Sequence, residues 1–222
     1  MIHKVLKHLF SISCVVVFAF SSCKDQTIEP GNEQVFSQVQ FGSQIWSGEN
    51  LSRVTFRNGD TIPYISDAAE WEKAGREGKP AWCYYAGDES KAGLRGKLYN
   101  WHAVNDSRGL APQGWHIPTV EEWRILFQTL GGADSAGKIM KTEDFNRGLC
   151  IPQLQKGFNA HPSGGRFNFG EYSGGEEYAN WWTSSRFTSG DAYAVNIFRN
   201  SDASKELTFY TRFGFSIRCV KD

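Results

Sequence analysis

The spacing of apolar residues changes character along the chain. Residues 9–20 form an apolar run broken only by Ser11 and Ser13, and the sequence turns polar at Lys24. Residues 24–34 have little apolar content and no period, which is the composition of a short flexible tether. Over 35–46, Val35, Val39, Phe41, Ile45 and Trp46 are separated by polar residues around Gly42-Ser43, which predicts two short strands joined as a hairpin. Residues 54–56 predict another strand, ended by the turn signal Asn58-Gly59-Asp60. Residues 67–71 predict a short helix with an Asp or Ser cap, and 82–85 (Trp-Cys-Tyr-Tyr) a compact aromatic strand or loop.

Over 96–104, Leu98, Trp101 and His102 fall on one side of a helix. The clearest helix opens at Thr119, a good N-cap, with Glu121 and Glu122 in its first turn and Glu122 placed to close a capping box. Trp123, Leu126, Phe127 and Leu130 then repeat at helical spacing until Gly131-Gly132. The second half is Gly-rich and strand-like. Residues 181–185 predict a core strand, Tyr193, Val195, Ile197 and Arg199 alternate, and 214–220 alternates with Phe215, Ile217 and Cys219 on one face. The expected class is α+β, with two helices and short, mostly antiparallel sheets joined by long Gly- and Trp-rich loops.

About 190 residues follow the tether, enough for one domain with a sizeable core. Lys plus Arg and Asp plus Glu both number 24, so the formal net charge is zero. With no basic cluster beyond the first residues, this argues against nucleic acid and against an electrostatic membrane surface as partners. Eight Trp and an aromatic content of 14% predict an aromatic-rich core rather than a helical bundle.

Lys4 and Lys7 precede the apolar run, in the order of a secretory signal. The run is about 12 residues, too short to span a bilayer. It ends in Ser21-Ser22-Cys23, which resembles a bacterial lipoprotein signal in which the cysteine is lipidated and becomes the new N-terminus; Phe20 stands where such signals often carry Leu. The expected organisation is a signal peptide over 1–22, a tether over 23–36 and a domain over 37–222. The expected address is the bacterial outer membrane, with the membrane as partner through lipid on Cys23. Lys24-Asp25 resembles the surface-export signal of some Bacteroidetes lipoproteins and reads equally as solvated tether. Cys83, Cys150 and Cys219 remain for the domain, and an extracytoplasmic compartment permits one disulfide among them.

Six phrases in order resemble one family. They are Gly42-Ser43-Gln44-Ile45-Trp46, the Gly96-Lys97-Leu98-Tyr99-Asn100-Trp101-His102 stretch, Gly114-Trp115-His116-Ile117-Pro118-Thr119, Gly157-Phe158-Asn159-Ala160, Trp181-Trp182-Thr183-Ser184-Ser185, and the closing Gly214-Phe215-Ser216-Ile217-Arg218-Cys219-Val220. The series is similar to the Fibrobacter succinogenes major paralogous domain, found in lipoproteins of Bacteroidetes and Fibrobacter. That resemblance implies a C-type-lectin-like fold, related in architecture to formylglycine-generating enzymes, in which the ends of the chain pair in one sheet. It also implies a bridge from a Cys ahead of the Pro-x-Gly-Trp-His phrase to the final Cys. This chain has Ala111 at the first position, so that bridge does not carry over.

The residues point to binding rather than catalysis. The Glu-Pro-Asn and Trp-Asn-Asp phrases of calcium-dependent sugar sites are missing from the domain; Asp88, Glu89, Glu176 and Glu177 are loop acids that read as solvated. No cofactor and no metal are expected. A formylglycine-type oxidase needs two reactive cysteines together late in the domain, where only Cys219 lies. His102, His116 and His161 are scattered, with His116 expected in a structural hydrogen bond, and no Gly-x-Ser-x-Gly nucleophile motif occurs. Trp82, Tyr84, Tyr85, Trp101, Trp181, Trp182 and Tyr193 are either core or a stacking face. Tyr84 and Tyr85 are the ligand-binding candidates, because neighbouring strand residues face opposite ways and one of them should lie outside. The expected function is a non-enzymatic surface module for a glycan or another protein; the alternatives are a formylglycine-generating-type oxidase and an accessory subunit of a surface or fimbrial assembly.

Overall fold

The computed structural model describes residues 34–143, 145 and 157–222. The expected signal, Cys23, the expected tether up to residue 33 and Cys150 lie outside the described residues. In chain order the elements begin with β1 (Gln38–Phe41), β2 (Gln44–Ser47), α1 (Ala68–Arg76) and β3 (Trp82–Cys83). Next come α2 (Ala92–Arg95), β4 (Leu98–Asn100), α3 (Trp101–Val104), β5 (Trp115–His116), α4 (Val120–Thr129) and α5 (Ala133–Met140). The rest are strands: β6 (Gly165–Arg166), β7 (Tyr172–Ser173), β8 (Tyr178–Arg186), β9 (Asp191–Phe198), β10 (Ser204–Tyr210), β11 (Gly214–Phe215) and β12 (Val220–Lys221).

The strands form three sheets, ordered β1-β2-β12-β5, β10-β9-β8 and β3-β4-β11-β6-β7, and the strand pairs within them are antiparallel. The expected hairpin is β1–β2. Its second strand pairs with the last strand through Trp46 and Val220, so the two ends of the domain share a sheet. The chain packs from Gln34 onward, ahead of the expected boundary at 37. Gln34 donates to Asn50 O at 3.1 Å, and the Phe36 ring meets Trp115 edge-on at 5.1 Å.

Five α-helices stand among the described residues, against two in the expected class and three read from the spacing. The helix at Thr119 has its capping box: the threonine side chain accepts from Glu122 N, and the Glu122 carboxylate accepts from Thr119 N. Gly131-Gly132 ends it as expected, but Gly132, at φ +100°, at once opens α5. The expected helix over 96–104 is instead strand β4 followed by the single turn of α3, because the Asn100 side chain accepts from Ala103 N and stops the strand. Residues 54–56 make only one bridge, Thr55 to Thr61. The expected final strand splits into β11 and β12, which belong to different sheets. Between them the backbone bonds outward to Asn50's neighbour Leu51, to Ser47 and to Asn180, which carries the chain from one sheet to the next. Phe215, Ile217 and Cys219 still share one core, as their alternation requires.

All eight tryptophans are buried, none more than 8% exposed. The β8–β9–β10 sheet divides them. Trp182 packs with Ala192 and Ala194 on one face, while Trp181 packs with Val195 and Ile197 on the other. Both indole N–H groups find acceptors, Trp181 on Asn50 Oδ1 at 2.8 Å and Trp182 on Tyr99 O at 2.9 Å. A buried indole left without an acceptor would lose part of what its apolar area contributes. Trp101, Trp181 and Trp182 therefore belong to the core and not to a stacking face.

Candidate functional site

Strand β3 ends at Cys83, and the two tyrosines that follow leave in opposite directions. Tyr85 turns onto the Gly-rich loop, where its oxygen accepts from Gly175 N at 2.9 Å and its ring meets Tyr172 at 5.5 Å. A Cβ on Gly175 would sit 2.4 Å from that ring, so the loop can approach only because this residue is glycine. Tyr85 is committed to packing.

Tyr84 turns the other way and joins a surface cluster of rings. It meets Trp82 edge-on at 5.1 Å and Tyr64 at 5.8 Å, while Tyr64 lies 4.8 Å from Trp82 and is 47% exposed. Tyr64 is held beside β3 by two backbone bonds, Trp82 N to Pro63 O and Ile65 N to Trp82 O. The Trp82 indole is anchored from behind on Ile62 O at 2.9 Å.

Lys97 completes the cluster. It follows Gly96, at φ +71°, where a Cβ would lie 2.6 Å from the Asn50 Cβ. Its ammonium stands 4.9 Å from the Trp82 ring centre and 5.2 Å from that of Tyr84, an attraction between cation and ring face. Burial lowers the Lys97 pKa and Glu89 partly opposes this. Among the described residues no carboxylate lies within ion-pair distance of it. Glu89 accepts from the Tyr84 hydroxyl at 2.9 Å, and burial, then this carboxylate, raise the Tyr84 phenol. The platform thus offers two partly open rings, Tyr64 and Tyr84, with the Glu89 carboxylate at its rim, while Lys97 and Trp82, each 7% exposed, form its buried base. Lys97 and Tyr64 were not legible as candidates in the sequence; the lysine only abuts the apolar Leu98-Tyr99 pair, which is a weak signal.

The remaining candidates take structural places. Asp88 caps a turn through Ser90 N at 3.0 Å, and Glu176 pairs with Arg95 and, at 3.8 Å, with Arg199. Glu177 is exposed. His102 Nε2 meets Gly75 O at 3.2 Å, with burial lowering its pKa. His161 lines a recess beside Arg218. His116 lies between Glu122 Oε1 at 2.7 Å and Asp222 Oδ1 at 2.8 Å. Burial opposes its charge, but these two carboxylates outweigh it and raise the imidazole pKa. Cys83 and Cys219 are both free and buried in separate cores, and burial pushes both thiols up. No group of three His, Cys, Asp or Glu suited to a metal occurs among the described residues, and no helix among them is long and apolar enough to cross a membrane.

No curated protein and no solved structure matches the chain. A family model does, over residues 39–221. The first phrase that carries the resemblance and the last, Gly42 to Trp46 and Gly214 to Val220, both fall inside that span and meet in the fold where Trp46 pairs with Val220. The chain belongs to the Fibrobacter succinogenes major domain family.

Proposed function

We propose that this protein is a lipid-anchored lipoprotein of the bacterial outer membrane whose C-type-lectin-like domain binds a glycan without catalysis. The observation that carries this reading is the Tyr64–Trp82–Tyr84 platform with the buried Lys97 packed against its rings. A sugar ring presents an apolar C–H face that suits an aromatic plane, while its hydroxyls need nearby donors and acceptors. The exposed Tyr64 hydroxyl can donate and Glu89 can accept beside the rings. The pairing of the first hairpin with the last strand supports the C-type-lectin-like assignment. Buried thiols with raised pKa values, in two different cores, favour binding over an oxidase, which needs accessible thiolates.

Two experiments test this reading. Mass spectrometry of the purified protein should find an acylated Cys23 as the mature N-terminus; any other N-terminus removes the anchor. A polysaccharide array should show binding that falls when Tyr64 and Tyr84 are both replaced by Ala. A pull-down from envelope extract that recovers one stoichiometric protein, with no binding on the array, would favour an assembly role instead.

A further inference from the structure

The β1-β2-β12-β5 sheet ends on one side in β1, which among the described residues pairs with β2 alone. The two-residue turn Gly42-Ser43 joins Phe41 to Gln44, and a turn of that length closes on a pair that exchanges both backbone bonds. Alternation then directs the backbone groups of Phe41 and Val39 to β2, and Gly48 N, donating to Ser37 O at 2.9 Å, continues the same set. The N–H and C=O of Gln38 and Gln40 point the other way, off the sheet, and have no backbone partner among the described residues. The Gln38 and Gln40 side chains are exposed, while Val39 and Phe41 are half-buried.

A free edge is a template for another strand, and edges are normally guarded by charge, proline, a bulge or extreme shortness. The other edges here are guarded. β10 carries Lys205 and Glu206, the latter paired with Arg124 at 2.6 Å. β8 is bridged on its outer side by Gly164 and Ser216, and β3, β5 and β7 are two residues long. β1 runs for four residues in unbroken register, and residues 34–48 contain neither a charged side chain nor a proline. Two charges reach this strand from neighbouring chain, and both are engaged: Ser37 N donates to Glu49 at 3.0 Å, and Lys221 donates to Gln38 Oε1 at 3.1 Å.

We infer that β1 pairs antiparallel with β1 of a second copy of this chain, about a two-fold axis at Val39. In that register Val39 stands opposite its own counterpart. Gln38 stands opposite Gln40 of the second copy, so the outward N–H and C=O of each glutamine exchange bonds in both directions. Their side-chain amides lie next to each other, and each can donate and accept. A neutral edge meets its own copy without like-charge repulsion, and it holds no charge that would select a foreign strand instead. So short a contact buries well under the roughly 1,200 Å² of a stable interface, which makes the association weak and reversible. The inference involves no residue of the ring platform and stands or falls without it.

The test combines crosslinking with sedimentation of the purified protein. Across the axis the two Val39 Cα atoms would be about 4.5 Å apart, within reach of a disulfide, while the two Gln38 positions would be about 7–8 Å apart, outside it. Mild oxidation of Val39→Cys should therefore give a reducible dimer, and Gln38→Cys and wild type at least about tenfold less of it. Sedimentation of wild type up to about 1 mM should show a reversible monomer–dimer equilibrium. Gln40→Pro removes an N–H that faces away from β2, so the hairpin keeps its bonds while self-association should weaken by about tenfold or more. Circular dichroism checks that this variant is folded, and the crosslinking arm does not depend on it. A wild type that stays monomeric at 1 mM, equal crosslinking at Val39 and Gln38, or an unchanged dimer in folded Gln40→Pro would each overturn the inference. Crosslinking of Val39→Cys to a different protein in envelope extract, with no homodimer, would overturn it in favour of a foreign strand.

Discussion

Arg218 Nε donates to Asn50 Oδ1 across 2.7 Å, joining residues 168 positions apart. The guanidinium is fully buried, lies 4.4 Å over the Phe158 ring and also reaches Ser47 O and Asn159 O. Burial lowers its pKa to about 9, with Glu49 and Cys219 only partly offsetting the cost. The same Asn50 oxygen accepts from Trp181, and the amide nitrogen donates to Arg95 O at 2.7 Å. One short side chain just past β2 therefore joins β8, the end of α2 and the segment between β11 and β12. Asn50→Leu keeps the branching of the side chain but takes one acceptor from the buried Arg218 guanidinium and the acceptor of the Trp181 indole N–H. It should destabilise the fold by about 3–5 kcal/mol in urea unfolding; a loss below about 1 kcal/mol would contradict this role.

His116 makes stability depend on pH. Its folded pKa is raised, so its contribution is fully present below the unfolded value near 6.5 and is lost as pH rises through the folded value. Glu122 runs the other way. Burial raises its pKa, but bonds from Thr119 and His116 outweigh this and leave it lowered. Its contribution is present above the unfolded value near 4.3 and fades as pH falls through the folded one. The melting temperature should fall on the alkaline side of about pH 6.5, and His116→Asn should flatten that limb. An NMR titration midpoint for His116 at or below 6.5 would show the opposite shift.

Cys83 and Cys219 should resist thiol reagents in the native state, because both are buried and their thiols stay protonated. Alkylation followed by peptide mass mapping should label them only in denaturant. Labelling of either in buffer alone would reveal an access route that the packing does not contain.

Much of this fold was legible because it is written in short-range chemistry. The Thr119–Glu122 box and the turn at Gly42 each rest on residues within four positions, and both appear where the sequence puts them. The misreadings arose where distant partners decide. Asn100 ends β4 with a side chain that also accepts from Ala81, which no helical period reveals. The alternation at 214–220 reports correctly which residues face the core, yet period-two spacing cannot say that the segment changes sheets between Phe215 and Val220. Tyr84 and Tyr85 were readable as an opposed pair. Which one faces outward depends on Gly175, ninety residues away.

Tyr85 gives a clean contrast of sterics with hydrogen bonding. Tyr85→Phe removes only the acceptor for Gly175 N and should cost about 1 kcal/mol. Gly175→Ala forces a methyl group into the ring and should cost about 1–3 kcal/mol, with the Gly-rich loop displaced. Thermal unfolding of the two variants checks the order; an alanine variant as stable as wild type would show that the loop does not depend on this approach.

The ring platform carries the functional account, and one measurement addresses it directly. The wild-type protein and the Tyr64→Ala/Tyr84→Ala double variant are applied to the same array of polysaccharides, with circular dichroism showing that both are folded. Wild type should bind at least one glycan, and the variant should lose that binding by about tenfold or more, the effect of removing two stacking rings. Equal binding by both proteins, or binding by neither, would contradict the claim that this surface receives a sugar.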